Sequence, residues 1–364
     1  MNGDGRTAQP ERMLIALPNW VGDVVLATPA LRAMRALCPT AHIVGLLKPG
    51  CREILSGADW TDELVTWPAA RSRFGRRRGF LGLAQELREK RLDTAVLLTN
   101  SFRSALLARL AGIRRRIGYD RDGRGLLLTD KLLADKDNGK FVPVSMVRYY
   151  NAIARYLGAR DVSGTLELHT TAAEEAVVQD LLTRHGVANG RPLVVINPGA
   201  SFGTAKCWMP ERFGEVADGL IDGTGAAVFI SCGPREQDVA QAVASSMRGS
   251  AIVLDQPVLP LGPLKALIRR SSLLVTNDTG PRHFGLAFGV PVVTMFGSTD
   301  PRWTQTDYAL EQQIQVKVHC GPCMKRRCPL DHRCMTRITS SMVLDAARSL
   351  LAERAAAPGR TRAR

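Results

Sequence analysis

A loop able to bind an anion begins directly after an apolar segment and contains Asp278, Thr279, Gly280 and His283. The apolar segments on either side, Leu273 to Thr276 and Pro291 to Phe296, predict two strands joined by a helix. In a parallel βαβ unit such a loop lies at the carboxyl end of the first strand, where the helix N-terminus offers free backbone N–H groups. The loop therefore predicts an anion site, with helix capping by Asp278 and Thr279 as the alternative.

A second loop of small residues, Pro198 to Lys206, follows the apolar segment Leu193 to Asn197 and ends in a cation. Small residues let the backbone approach a ligand and a Lys supplies a point charge, as phosphate-binding loops require. The residue order of a Walker A loop is missing, and no G-x-G-x-x-G follows a predicted strand, which disfavours nicotinamide and flavin cofactors. The side chains expected to face this edge of the sheet are Ser201, Thr204, Lys206 and Glu236.

A carboxylate that could act as a general base occurs in a third loop of this kind. Asp23 follows the predicted strand Met13 to Leu17 and begins the predicted helix Val24 to Leu37. A carboxylate at the carboxyl edge of a sheet can take a proton from an attacking hydroxyl group. An Asp at a helix start can also be only a cap, so both interpretations of Asp23 remain open at this point.

The elements that carry these loops alternate between strand and helix along the chain, which predicts an α/β fold with two doubly wound, Rossmann-like domains. The predicted divisions are a disordered tail over 1–12, an N-terminal domain over 13–165, a C-terminal domain over 166–352 and a disordered basic tail over 353–364. Two such domains imply a central cleft lined by the carboxyl ends of both sheets. Phosphate-binding residues on one side and a carboxylate on the other suit group transfer from a nucleotide-activated donor.

The basic charge of the chain is concentrated in one region. The 364 residues include 49 Lys or Arg and 34 Asp or Glu, a net charge of +15, and the region from Arg71 to Arg124 has 15 basic against 5 acidic residues. This excess predicts an anionic partner, which on charge alone could be nucleic acid, a phosphorylated glycolipid or the inner membrane surface. Aromatic residues are only 5% of the chain and the Arg-rich loop has one ring, Phe74, so we expect no nucleic-acid partner.

Neither a secretion signal nor a membrane span is evident in the sequence. The N-terminal residues lack an apolar segment, and the uncharged run Gly285 to Thr299 is interrupted by Gly, Pro and Thr and is too short for a bilayer. We therefore expect a cytoplasmic protein.

Four cysteines are clustered near the C-terminus, in the order Cys320-x2-Cys323-x4-Cys328-x5-Cys334, with His319 and His332 beside them. Four thiolates can close a tetrahedral zinc site, although this spacing is not that of zinc ribbons and fingers. A site filled by four thiolates has no open coordination position, so we predict a structural zinc rather than a catalytic metal. Redox-labile thiols and incidental clustering are the alternatives.

Five motifs occur in one order between about Leu14 and Pro301. They are Pro18-x-Trp20-Val21-Gly22-Asp23, Asn100-Ser101-Phe102-Arg103-Ser104-Ala105-Leu106, Ala111-Gly112-Ile113 with Gly118-Tyr119, Pro198-Gly199-Ala200-x-Phe202-Gly203-x-Ala205-Lys206-x-Trp208, and Thr276-Asn277-Asp278-Thr279-Gly280-x-x-His283. In this combination the chain resembles the ADP-heptose:lipopolysaccharide heptosyltransferases of glycosyltransferase family 9. The second and fourth motifs most resemble the heptosyltransferase II branch of that family.

The resemblance implies the two-domain GT-B fold, an inverting transfer and no cofactor or metal for the chemistry. Asp23 matches the family's general base, and Lys206 matches the lysine that neutralises the donor diphosphate. Glu236 matches an acidic residue that binds the nucleoside, and the loop from Asp278 to His283 matches the one that holds the donor sugar and phosphates. We assign Ser201 and Thr204 to the same donor site.

The implied donor is ADP-heptose and the implied acceptor is the heptosyl-Kdo-lipid A core of lipopolysaccharide. That acceptor is phosphorylated and anchored in the inner leaflet, so the resemblance also implies peripheral contact with the inner membrane. Together with the local basic charge, it assigns acceptor binding to Arg76, Arg77, Arg78, Asn100 and Arg103.

Two alternatives to this function remain from the sequence. One is a family 9 transferase with a different donor or acceptor, of the heptosyltransferase I or III type. The other is a non-catalytic protein that binds a nucleotide or an anionic lipid. The family pattern also gives no role to the cysteine cluster, and Pro281-Arg282 places an extra cation beside the predicted phosphate site.

Overall fold

The computed structural model describes residues 9–68 and 79–356. The chain divides into two compact units after Gly164, close to the predicted division after residue 165. Each unit contains one large parallel sheet with helices, which confirms the predicted α/β fold with two Rossmann-like domains.

The first unit is built on six parallel strands in the order β3-β2-β1-β4-β5-β6. The strands are β1 (Arg12–Ala16), β2 (His42–Leu47), β3 (Glu63–Thr66), β4 (Thr94–Leu97), β5 (Arg115–Tyr119) and β6 (Asp130–Leu132). The helices are α1 (Val21–Leu26), α2 (Thr28–Leu37), α3 (Phe80–Glu89), α4 (Phe102–Leu110) and α5 (Met146–Leu157). The short strands β7 (Lys136–Asp137) and β8 (Lys140–Phe141) form an antiparallel hairpin.

The second unit repeats this plan, with the order β11-β10-β9-β12-β13-β14. Its strands are β9 (Leu193–Asn197), β10 (Ala227–Ser231), β11 (Ile252–Leu254), β12 (Leu273–Asn277), β13 (Val292–Phe296) and β14 (Glu311–Gln315). Its helices are α6 (Ala172–Arg184), α7 (Pro210–Thr224), α8 (Gln237–Ser246), α9 (Leu261–Arg270), α10 (Gly280–Ala287), α11 (Arg333–Thr336) and α12 (Ser340–Ala356).

The central strands form because their residues are apolar and lie between helices. Every residue of β4, β9, β10, β12 and β13 is buried, as expected for parallel strands covered on both faces. The loops after these strands contain polar residues such as Asn100, Lys206 and Asp278, so the apolar segments define the sheet and the loops define its polar edge.

The strand order reverses direction beside the first strand of each sheet. In the first unit the reversal lies between β1 and β4, and in the second between β9 and β12. The loops after two such neighbouring strands leave on opposite faces of the sheet and open a crevice at its carboxyl edge. In open α/β sheets this crevice is where ligands usually bind. Asp23 and Asn100 follow β1 and β4, while Lys206 and Asp278 follow β9 and β12.

Three details of the predicted elements are corrected by the structure. The single helix predicted from Val24 to Leu37 is two helices separated at Ala27, with Pro29 in the first turn of α2, where its missing N–H is tolerated. The predicted N-terminal tail is wrong at its end, because Arg12 belongs to β1. The predicted C-terminal tail is wrong at its start, because α12 continues to Ala356 and Arg354 Nη1 donates to the carbonyl oxygens of Ser271 and Ser272.

Across residues 9–68 and 79–356, none of the helices combines the length and the apolar character that crossing a bilayer requires.

Candidate functional site

Lys206 and Asp278, which the sequence places in separate loops, form an ion pair. Lys206 Nζ donates to Asp278 Oδ2 at 2.7 Å and to the Asp278 carbonyl oxygen at 2.8 Å. Thr299 Oγ1, which follows β13, donates to the same Oδ2 at 2.8 Å. The carboxyl ends of β9, β12 and β13 therefore meet at one carboxylate. An ammonium group has three N–H donors, so the two bonds to Asp278 leave a third donor for a ligand.

Asp278 is held in its charged form by two cations. Its burial raises the carboxyl pKa, but Lys206 and Arg282 outweigh this effect and lower that pKa to about 2. Arg282 Nη1 lies 3.5 Å from Asp278 Oδ1, while Arg282 Nε and Nη2 donate to the two carboxylate oxygens of Glu311 at 2.6 and 2.9 Å. The charged groups thus alternate in sign from Lys206 to Glu311.

Arg282 is not a cation presented to solvent, contrary to what its place in the sequence suggests. Its side chain is fully buried, and Nη1 also donates to Thr304 Oγ1 at 2.8 Å. Glu311 lies on β14 and in addition accepts a hydrogen bond from Thr294 Oγ1 at 2.6 Å. Sequence analysis missed Glu311 and Thr299, because polar residues on an edge strand and in a loop give no signal of this pairing.

The helix-capping alternative for the Asp278 loop finds no support in the geometry. Thr279 is the N-cap residue of α10, but its side chain makes no capping hydrogen bond, and Asp278 is paired with Lys206. Gly280 is the first residue of the helix. The Thr279 side chain therefore does not occupy the backbone N–H groups at this helix start, and the anion site stays a prediction.

His283 lies one turn into α10 and is neutral at physiological pH. Burial, and then the charge of Arg282, lower the pKa of its imidazole to about 3. Its Nδ1 is buried and has no hydrogen-bond partner within the described residues. A neutral ring nitrogen can donate or accept one hydrogen bond, according to its tautomer, without adding charge.

Glu236 and Ser201, also predicted to bind the donor, lie together above the end of β9. The Gly233 N–H donates to Glu236 Oε2 at 2.9 Å, and Ser201 Oγ donates to Oε1 at 3.4 Å. A β-carbon at Gly199 would overlap the Glu236 carboxylate, so this close approach requires the glycine. Thr204 is exposed in the 3₁₀ turn Thr204–Lys206.

Asn277 joins the two loops and was not singled out from the sequence. Its Nδ2 donates to the Pro198 carbonyl oxygen at 2.6 Å, and its Oδ1 accepts from the Trp208 N–H at 3.1 Å. The side chain is fully buried. One amide at the end of β12 thus holds both ends of the loop that carries Lys206.

Asp23 is the third residue of α1, which begins after the short loop that follows β1. It is not the N-cap residue, which is Trp20. After burial, which is the larger cause, the negative charge of Asp23 raises the pKa of the buried Tyr150 phenol well above its usual value. A side chain in the first turn of this helix is suitably placed for a base, although an acidic residue there also favours the helix dipole.

Asn100 is fixed at the carboxyl end of β4 by two donors. Its Oδ1 accepts from Arg124 Nη2 at 3.0 Å and from the Tyr149 hydroxyl at 3.0 Å. Arg124 is fully buried and also donates to the carbonyl oxygens of Tyr119 and Thr99. These bonds use the Asn100 oxygen, so its Nδ2 is the group directed to other partners.

Arg103 lies on α4 with its guanidinium over two aromatic rings, 5.3 Å from the Trp67 centroid and 5.2 Å from the Phe80 centroid. These rings flank the segment 69–78, and Arg76, Arg77 and Arg78 lie outside the described residues. Acceptor binding by the three arginines stays a prediction.

The four clustered cysteines line one cavity of about 70 Å³ together with His332, Gly297 and Ser298. Among the residues that the structure describes, however, no three His, Cys, Asp or Glu side chains are arranged to hold a metal ion. The structural zinc therefore stays a prediction, which metal analysis of the purified protein tests.

Comparison with protein families relates this geometry to known proteins. Residues 80–333, which include the Lys206 and Asp278 loops and three of the four clustered cysteines, match the model of glycosyltransferase family 9 (heptosyltransferase). The chain belongs to glycosyltransferase family 9. It is therefore an enzyme of the glycosyltransferase class, and a purely nucleotide-binding or lipid-binding protein is not favoured.

Individual members of the family agree with this placement. The chain is 30% identical over 362 residues to lipopolysaccharide heptosyltransferase 2 of Salmonella typhimurium, covering 94% of this chain and 99% of that protein. The solved structure of E. coli ADP-heptose lps heptosyltransferase II matches with a TM-score of 0.76 and 26% identity over 94% of this chain and 99% of that one. A family 9 glycosyltransferase from Veillonella parvula, at 24% identity, has the same fold with a TM-score of 0.79, covering 94% of this chain and 97% of that one.

A first prediction concerns the ion pair at the centre of the site. Replacing Lys206 with Met should lower kcat/KM for the sugar-nucleotide donor by about 10²-fold, because the cation that the family resemblance assigns to the donor diphosphate is lost. Steady-state kinetics with varied donor would measure this. Lys317→Met, at an exposed lysine of the same unit, serves as the control. Unchanged kinetics in Lys206→Met would contradict the assigned role.

Proposed function

We propose that the protein transfers L-glycero-D-manno-heptose from ADP-heptose to the first heptose of the lipopolysaccharide inner core, with inversion at the anomeric carbon. The observation that carries this proposal is the Lys206 ammonium, held by Asp278 at the reversal point of the second sheet. A fixed cation beside a helix N-terminus fits the diphosphate of a nucleotide sugar. The names of the heptosyltransferase 2 relatives supply the donor and the acceptor.

Two groups of the chain carry the chemical steps. Asp23 would accept the proton of the acceptor hydroxyl as its oxygen bonds to the anomeric carbon of the donor. The bond from that carbon to the ADP oxygen breaks, and the diphosphate gains negative charge. Lys206 would stabilise this charge through its third N–H donor. His283, being neutral, would offer a hydrogen bond without neutralising Asp278.

Binding of the nucleoside part of the donor is supported by the Glu236 carboxylate, which lies against Gly199, and by the Ser201 hydroxyl, which donates to that carboxylate. A carboxylate at the end of a neighbouring strand can accept hydrogen bonds from ribose hydroxyl groups, as in other doubly wound sheets. Glu236 is pre-positioned for this by the Gly233 N–H.

The acceptor specificity is tested with a set of three lipid A core acceptors that carry Kdo and zero, one or two heptoses. Purified protein and ADP-heptose should add one heptose mass, seen by mass spectrometry, to the one-heptose acceptor in preference to the others. Preference for the acceptor without heptose would indicate a type I enzyme, and preference for two heptoses a type III enzyme. Turnover with another nucleotide sugar but not with ADP-heptose would overturn the donor assignment.

The inner membrane surface as a partner is supported by apolar side chains of the first unit that face solvent. Leu126 is 96% exposed and Leu133 is 79% exposed. Leu126 lies in the 3₁₀ turn Gly125–Leu127, which packs beside α4. Three cations of this region are exposed as well: Arg109 on α4, Arg114 in the loop after α4, and Lys131 on β6. Apolar side chains among cations suit an anionic bilayer surface.

A second prediction tests this contact by co-sedimentation with vesicles that contain anionic phosphatidylglycerol. The variant with Leu126→Ser and Leu133→Ser should bind these vesicles about tenfold more weakly than the wild type, because two side chains no longer enter the interface. Val177→Ser, at an exposed position of α6, should bind like the wild type. Absence of wild-type binding, or equal binding by the double variant, would contradict peripheral attachment through this surface.

A further inference from the structure

The cysteine-rich segment, defined as residues 320–334, contacts the loop that carries Lys206. The Ala205 N–H donates to the Arg326 carbonyl oxygen at 3.0 Å. His332 Nε2 lies 3.0 Å from the Ala205 carbonyl oxygen. Ala205 is buried, and both of its backbone hydrogen-bonding groups are used by this one segment. The residue directly before Lys206 is therefore fixed from outside its own loop.

The donor in the contact between His332 and Ala205 follows from the chemistry of the carbonyl group. A carbonyl oxygen only accepts hydrogen bonds, so His332 Nε2 must carry the proton and donate it. His332 occupies the left-handed backbone region at φ 57°, directly before α11. A non-glycine residue held there is uncommon and is maintained by its surroundings.

The two segments also fit each other sterically. Gly203 has φ 157°, and a β-carbon there would overlap the Arg326 carbonyl oxygen. The Arg326 guanidinium lies 5.4 Å from the centroid of the Phe202 ring, and Lys206 Nζ lies 5.1 Å from the same centroid. Phe202 is thus in contact with a cation of the cysteine-rich segment and with the cation of the donor site.

A second attachment reaches the other side of the site. The Met324 N–H donates to the Ser298 carbonyl oxygen at 2.8 Å. The next residue, Thr299, donates to Asp278. The cysteine-rich segment therefore contacts both sides of the Lys206–Asp278 ion pair. On one side it binds Ala205, which precedes Lys206, and on the other it binds Ser298, which precedes the Thr299 that donates to Asp278.

We propose that the cysteine-rich segment is a positioning element of the donor site, with His332 as the residue that fixes Ala205 and thereby the Lys206 ammonium. This role rests on the proposed function, because its consequence is tighter binding of the ADP part of the donor. His332 touches neither donor nor acceptor in this role and acts through the loop.

The test compares His332→Ala with His332→Gln. The amide nitrogen of Gln can take the place of Nε2 and donate to Ala205, whereas Ala cannot. Both variants keep a β-carbon in the left-handed region, so backbone strain is similar in the two. His185→Ala, at an exposed histidine of the same unit, is the control.

Binding of ADP by calorimetry and donor kinetics are the readouts. His332→Ala should raise the Kd for ADP and the KM for ADP-heptose by about tenfold, which corresponds to the loss of one buried hydrogen bond, while kcat changes less. His332→Gln should recover most of this loss, and His185→Ala should match the wild type. Gly203→Ala, which pushes the Arg326 carbonyl away, should reproduce the effect if His332→Ala does not fold.

Two results would overturn the positioning role while leaving the proposed function intact. One is a His332→Ala variant that is less stable but has the wild-type Kd and KM. The other is His332→Gln being as impaired as His332→Ala. A wild type that neither binds ADP nor transfers heptose would instead remove the proposed function, and this role with it.

Discussion

Replacing Asp23 with Asn is expected to lower kcat for heptose transfer by about 10²- to 10⁴-fold, the range for loss of a general base, while the Kd for ADP stays unchanged. Asn has nearly the same shape but cannot accept the proton of the acceptor hydroxyl. Asp23 lies in the first turn of α1, and the residues that we assign to ADP lie in the other unit. Transfer followed by mass spectrometry and ADP calorimetry would measure the two quantities.

The control for this prediction is Asp59→Asn, at an exposed aspartate of the same unit, which should transfer heptose like the wild type. An Asp23→Asn variant with full activity but reduced thermal stability would show that the carboxylate only favours the helix dipole of α1. In that case the protein would still be assigned as a transferase, and another group would have to serve as its general base.

Replacing Arg282 with Met is expected to destabilise the protein by about 3 to 5 kcal/mol, the usual cost of breaking a buried ion pair from one side. The Glu311 carboxylate would lose both of its guanidinium bonds, and Asp278 would keep only Lys206 as a charged partner. Denaturant unfolding gives the free energy of unfolding directly. Arg184→Met, in an exposed ion pair on α6, should change that free energy little.

Two further measurements separate this explanation from a packing defect. Adding Glu311→Met to Arg282→Met should recover part of the lost stability, since no buried carboxylate is then left without its guanidinium. The acid transition should also move. Asp278 has a lowered pKa, so its contribution is present at neutral pH and is lost as the pH falls toward about 2. Without Arg282 that pKa rises, so the contribution of Asp278 should be smaller and its loss should be complete at a higher pH.

The sequence predicts the sheets of this protein well because their central strands are buried on both faces. Strand β9 has the predicted bounds, and β13 differs by one residue. The order of the apolar segments also places Asp23, Lys206 and Asp278 at strand ends before any coordinates are known. The carboxyl ends of parallel strands lie at one edge of their sheet. Asp23 can therefore be assigned to that edge of the first sheet, and Lys206 and Asp278 to that edge of the second.

The parts that the sequence does not predict depend on distances between residues far apart in the chain. β14 has mostly polar residues, so neither its strand nor the pairing of Glu311 with Arg282 follows from a hydrophobic pattern. Asn277 is recognised as a link only when the ends of β9 and β12 are seen side by side. The contact of His332 with Ala205 spans more than a hundred residues and leaves no local mark in the sequence.

β14 is the last strand of its sheet, and among residues 9–68 and 79–356 no further strand pairs with its outer side. Free edges invite pairing with other chains, and proteins protect them with polar or charged residues. The polar composition of β14 serves this purpose, but Glu311 on the same strand is also needed inside for Arg282. The strand with this protective composition thus also supplies the buried partner of Arg282. Efforts to improve solubility by redesigning this edge should leave Glu311 unchanged, together with Gln313, whose Nε2 donates to Glu311 Oε2 at 2.9 Å.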